Sequence, residues 1–223
     1  MIIDSTYFER YNFVANVNEP DPDSRSQTDL DFAIQTIVRY VLSFTFGAQM
    51  FNDLKQYYSP SEGEEIPQNY KDLVDGKAYS HNGTERYWIG LRQQEIKESL
   101  LADLVYYAHQ TNYVTQSTGI GEVSIDNKIG NKVSIAPKVV RAWNSFLNKY
   151  NGAIGGNLSG LTLEGNPFWI FSNRRGIGID YCGHRNDYHS SLIQFLEENK
   201  EDFPLMNLQP SRFFGEFKNE FGI

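Results

Sequence analysis

The chain has 223 residues, 40% hydrophobic and 14% aromatic, enough apolar material for a real core and too much for global disorder. Its formal charge of −8 argues against a nucleic-acid grip, which needs clustered Lys and Arg on phosphate. One cysteine, Cys182, excludes an internal disulfide framework and suits assembly in a reducing compartment.

The N-terminal MIIDSTYFER carries an acid at position 4 and lacks an apolar run, so it does not read as a signal peptide. Residues 1–27 read as extended. Tyr7, Phe8, Tyr11, Phe13, Val14 and Val17 make this leader sticky, and NEPDPDSRSQ follows as a polar loop. Such a leader packs on its own domain or docks on a neighbour, and Tyr7 and Phe8 are the candidates for docking.

The first strong helical pattern runs over 28–46. Leu30, Ile34, Ile37, Val38, Val41 and Leu42 fall at the spacing of one helix face, with Thr28 as the expected N-cap. Gly47 marks a break, and a second helix over 48–58 restarts the stripe at Phe51 and Leu54. The most apolar window, 30–51, holds Asp31, Gln35 and Arg39, which argues against a membrane span. An acidic, proline-bearing loop follows, and 70–88 reads as short and turn-rich.

Residues 91–116 carry the second strong stripe: Ile96, Leu100, Leu101, Leu104, Val105 and Ala108. Residues 117–134 read as a loop or loose hairpin. Pro137 opens a third helix to 150, with Val139, Val140, Trp143, Phe146, Leu147 and Tyr150 on its stripe. Val38, Leu42, Leu101, Leu104, Trp143 and Phe146 are the expected shared core. After a glycine-rich connector, 152–188 reads as a β-rich excursion, 189–200 returns to helix, and the segment to 223 carries Phe213, Phe214, Phe217 and Phe221. Residues 1–85 hold 14 acids and 6 Lys or Arg, so the whole net charge of −8 sits there; residues 86–223 balance at 14 and 14.

Candidate chemistry is thin. Cys182, His184 and His189 could in principle supply three zinc ligands, but there is no second cysteine and the paired spacing of structural zinc sites is missing. A Cys–His nucleophile pair is weaker still. Gly176-Ile177-Gly178 would need glycine at 181 for a dinucleotide fingerprint, and Tyr181 stands there. Gly119-Ile120-Gly121 fails in the same way at Ser124. His81 and His109 are lone, and Glu64-Glu65, Glu197-Glu198 and Glu201-Asp202 read as solvated pairs. The aromatics are the stronger signal: core packing takes most of them, and interfaces also enrich Phe, Tyr and Trp. Phe213, Phe217 and Phe221 are spaced by four, so a short helix would present them on one face.

MIIDSTYF, Val14-Ala15-Asn16-Val17, the pair DLDFAIQTIVRYVLSFTFGAQMF, Tyr87-Trp88-Ile89-Gly90-Leu91, SLLADLVYYAHQTNYVTQSTGIGEV and Arg141-Ala142-Trp143-Asn144 occur in that order. This series resembles the head–tail connector (adaptor) proteins of tailed phages infecting Bacteroidetes, including the ring proteins beneath the portal of crAss-like phages. The resemblance spans roughly residues 1–150 and the 189–200 helix, and leaves out 152–188 and the phenylalanine tail. It implies a mainly α fold, a helical bundle of the phage adaptor type with extended terminal arms, to which the residues of 152–188 themselves add a β-rich insertion. The units would be an adaptor body with its N-terminal arm over 1–151, the insertion over 152–188, and a C-terminal helix with docking tail over 189–223. It also implies a structural subunit of a ring, commonly twelvefold, that binds the portal protein and carries the next neck or tail ring. DNA would pass through without sequence-specific binding. The expected place is the virion neck, assembled in the bacterial host cytoplasm, with no membrane, metal, cofactor or active site. A stopper or tail terminator is the nearest alternative, and a small metal-dependent enzyme centred on Cys182, His184 and His189 is the alternative of another class.

Overall fold

The computed structural model describes residues 2–15, 17, 25–58, 65–113, 115–118, 121–124, 136–151 and 189–208. The described part is mainly helical, with two small sheets. The expected β-rich insertion at 152–188 lies outside it.

Among its described residues the leader is not extended throughout. Asp4 caps a short 3-10 turn, Ser5–Phe8, its Oδ1 accepting from the Thr6 backbone N–H at 3.0 Å. The turn drives Tyr7 and Phe8 inward, 2% and 0% exposed, among Ile3, Val14 and the helices. As docking residues these two are therefore corrected: both rings are spent in this chain's own core.

Helix α1 covers Arg25–Phe46, starting three residues ahead of the expected cap, so Thr28 lies inside the first turn. Gly47, at φ +81°, breaks the helix in the left-handed region where glycine is favoured, and α2 (Ala48–Tyr58) follows. Helix α3 (Gln68–Asp75) and the hairpin β1 (Lys77–His81) and β2 (Thr84–Trp88) stand where only turns were expected. The hairpin signal was Asn82-Gly83, both at positive φ as a type I′ turn requires.

The stripe assigned to 91–116 splits. Residues 93–98 form a turn closed by a Gln93–Glu98 backbone pair, and Ile96 is 46% exposed. Helix α4 begins at Leu100 and runs to Tyr113. Ser99 sets that start: its Oγ accepts from the Leu101 N–H at 3.0 Å and donates to the Leu91 carbonyl at 2.6 Å. Strands β3 (Thr115–Thr118) and β4 (Gly121–Ser124) form an antiparallel hairpin. Helix α5 covers Ala136–Asn151. The two-residue strand β5 (His189–Ser190) adds to β2 in parallel, giving the order β1-β2-β5, and leads through an N-capping Ser191 into α6 (Leu192–Glu198).

Helix α4 lies at the centre, packed on α1 and α5. Leu42, Leu101, Leu104 and Phe146 are buried as expected, whereas Val38 and Trp143 are only half-buried. Trp88 ties the small sheet to the helices. Its ring is fully buried, stacks on Phe195 at 5.6 Å, and donates from Nε1 to the Leu73 carbonyl at 2.8 Å.

Candidate functional site

Two places in the described structure carry more than packing. The first is a buried polar knot between α4 and α5. Asp103 and Lys149 are 1% and 5% exposed. Asp103 Oδ2 accepts from Lys149 Nζ at 2.6 Å and from Ser145 Oγ at 2.8 Å, and Oδ1 accepts from Asn12 Nδ2 at 2.9 Å. Ser145 and Lys149 stand one turn apart on α5, so both reach one carboxylate on α4. Arg141, one turn earlier, lies 4.2 Å over the Tyr11 ring and donates from Nη2 to the Tyr11 carbonyl at 3.0 Å. A carboxylate holding three donors, one of them a cation, is occupied as an acceptor and poorly placed to serve as a general base. Its evident work is to hold the leader against α4 and α5.

The second place is a groove of about 810 Å³ between α1 and α2. Helix α1 buries Leu30, Ile34, Val41, Leu42 and Phe46 on one face. On its outer side Phe32 and Tyr40 stay 70% and 60% exposed, and Tyr40 stacks on Phe44 at 6.0 Å. Val38 and Leu42 from α1, with Phe51 and Leu54 from α2, line the groove; Arg39 and Lys55 stand along it, both exposed. Ile2 and Tyr58 also line it. Near these two, Arg92 ties three elements: it donates to Asp75 at 2.9 Å and to the Ile2 carbonyl at 3.3 Å, and lies 5.6 Å from the Tyr58 ring centre. Burial pushes the Tyr58 hydroxyl up to about 12; Asp75 adds to the rise and Arg92 opposes it, so this end of the groove presents a neutral phenol.

Phe213, Phe214, Phe217 and Phe221 lie outside the described residues, as do Cys182 and His184. Of His189 only the backbone is described, and it pairs with Tyr87. Among the described residues no group of three or more His, Cys, Asp or Glu could hold a metal ion. Glu198, expected to be solvated, is instead engaged: its carboxylate accepts from Tyr79 Oη at 2.6 Å and from Gln194 Nε2 at 3.1 Å, and faces Arg86 at 3.3 Å. Burial first, and this hydrogen bond second, hold the Tyr79 hydroxyl well above the usual phenol range.

Phe32 and Tyr40 were missed as surface features by reading only the buried stripe of α1. The signal was present: two large aromatics eight residues apart on the polar side of an amphipathic helix. No protein-family model, curated protein or solved structure matches this chain. Among the described residues no helix is long and apolar enough to cross a membrane.

Proposed function

We propose that the protein is a structural subunit of a phage head–tail connector, an adaptor of the helical type whose copies form a ring between the portal and the next neck ring. The observation that carries the reading is the outer face of α1, where Phe32 and Tyr40 stand exposed beside an apolar groove. Large rings held in water beside a concave apolar surface cost solvation in the free chain, and that cost is relieved when another protein covers them. The order of sequence motifs described above supplies the neck setting. The acidic N-terminal part suits a wall past which DNA slides, because like charge keeps the duplex from adhering.

Electron microscopy of the purified chain, alone and mixed with the portal protein of the same phage, tests the proposal. Closed rings, or rings formed only on the portal, are expected. A chain that stays monomeric and leaves the portal bare would overturn it.

A further inference from the structure

We propose that Asn12, Asp103 and Lys149 form a self-linking site, at which an amide bond between Lys149 Nζ and Asn12 Cγ ties the leader covalently to α5. The observation behind it is one shared carboxyl group. Asp103 accepts from Lys149 Nζ through Oδ2 at 2.6 Å and from Asn12 Nδ2 through Oδ1 at 2.9 Å. A primary amine and a primary amide, far apart in the chain, are thus gathered on the two oxygens of one acid. Asn12 is as deeply buried as its two partners, at 3% exposed. Ala102, Leu104, Phe146 and Tyr150, which neighbour Asp103 and Lys149 in sequence, are buried as well, so the trio sits in a site that excludes water.

Two features separate this trio from an ordinary buried ion pair. Asn12 Oδ1 is buried and has no hydrogen-bond partner among the described residues, so this amide oxygen bears its desolvation uncompensated. The charges of Asp103 and Lys149 have also lost their hydration, which their mutual attraction offsets only in part. The linked product removes both penalties. The Lys149 Nζ–Asn12 Cγ bond forms, and the Asn12 Cγ–Nδ2 bond breaks. The ammonium nitrogen of Lys149 gives up two protons. One stays on Asp103, and the other goes with Nδ2, which leaves as ammonia. Atoms and charges balance, since the cation and the anion both become neutral, and no oxidant or co-reactant is needed. The O–H of the protonated Asp103 is then available to donate to Asn12 Oδ1, the acceptor that now lacks a partner.

Asp103 is too occupied to reach the proton of an outside substrate. The proton it takes here is the one it already shares with Lys149, and its transfer along that hydrogen bond requires no vacant lone pair. Attack needs Nζ within about 3–3.5 Å of Cγ. Rotation at the end of the flexible four-carbon stem of Lys149 supplies the approach. The inference stands on this trio alone and requires no ring.

The test is the intact mass of the purified, folded full chain, followed by tryptic mapping under denaturing conditions. The expected result is a mass about 17 Da below that of the sequence, the loss of one ammonia, with the Asn12 and Lys149 peptides joined in a single product. Lys149→Arg, which keeps the cation but offers no primary amine, should give separate peptides. Asp103→Asn, shown to be folded by circular dichroism, should lower the linked yield at least tenfold. A wild-type chain at its full sequence mass would overturn the proposal. So would the same mass loss with the two peptides separate, which is cyclisation at Asn12 alone, a joined product in Lys149→Arg, or full linkage in folded Asp103→Asn.

Discussion

Helices α4 and α5 and helices α1 and α2 are both amphipathic pairs, and they are finished in opposite ways. Between α4 and α5 the chain supplies its own closure: Asn12 arrives from the leader, Ser145 and Lys149 from α5, and all three converge on Asp103. Between α1 and α2 the inner face is closed, yet the outer side keeps a groove and two exposed aromatics. The difference teaches where to look for stability and where to look for contact. A satisfied buried charge fixes how elements meet, and its removal is felt by the whole fold. An open apolar face contributes little to the isolated chain and becomes valuable once something covers it.

Breaking the closed pair should have the largest effect. Asp103→Ala strands Lys149 in the interior, and the expected cost is about 3–5 kcal/mol in urea unfolding. The double change Asp103→Leu with Lys149→Met removes both charges and should recover a large part of that loss. If the single variant loses under about 1 kcal/mol, the knot is not holding the leader to the helices.

Next in size, the two pairs can be set against each other by truncation. Leu104→Ala, in α4, should cost about 2–5 kcal/mol. Phe32→Ala and Tyr40→Ala, on the outer side of α1, should each stay within about 0.5 kcal/mol in the isolated chain. Equal losses at Leu104 and Phe32 would erase the distinction between core and contact surface.

How far the sequence reaches is visible in the same elements. The stripes of α1, α2 and α5 could be read because each runs over several turns with few interruptions. The stripe over 91–116 misled because Ile96 and Leu100 keep helical spacing across a boundary that Ser99 decides, through a cap whose hydroxyl also bonds the distant Leu91 carbonyl. Helix α3 and the β1–β2 hairpin were hidden by shortness: eight- and five-residue elements hold too few periods to register, and the hairpin's support, Phe195 against its Trp88 and β5 beside β2, comes from far along the chain. The leader packs on its own domain, one of the two outcomes the sequence left open, because nothing local tells a sticky arm from a buried one; Asn12 meets Asp103 ninety-one residues away. The candidate site was half legible. The α1–α2 pair could be read, but whether Phe32 and Tyr40 are covered depends on which neighbours pack there.

The smallest expected effect sharpens the closed side of the comparison. His109, on α4, is buried, and burial lowers its pKa below the usual 6.5, with Asp29 opposing the shift. Above the unfolded value of about 6.5 both states are neutral and this residue adds no pH dependence. As pH falls below it the unfolded chain takes up the proton first, so stability should decline until the folded pKa is passed. Urea midpoints measured from pH 7.5 to 5 should show this slope, and His109→Gln should flatten it. A slope unchanged in that variant would assign the acid sensitivity to other groups.

The central claim is that the outer face of α1 serves contact with other protein rather than the fold. Sedimentation velocity over a concentration series, on the wild type and on Phe32→Ser with Tyr40→Ser, with thermal unfolding of each in parallel, tests it most directly. The account predicts a multimer for the wild type, alone or with the portal protein added, and for the double variant a monomer that still unfolds cooperatively. A double variant that assembles like the wild type, or one that fails to assemble because it has unfolded, would contradict it.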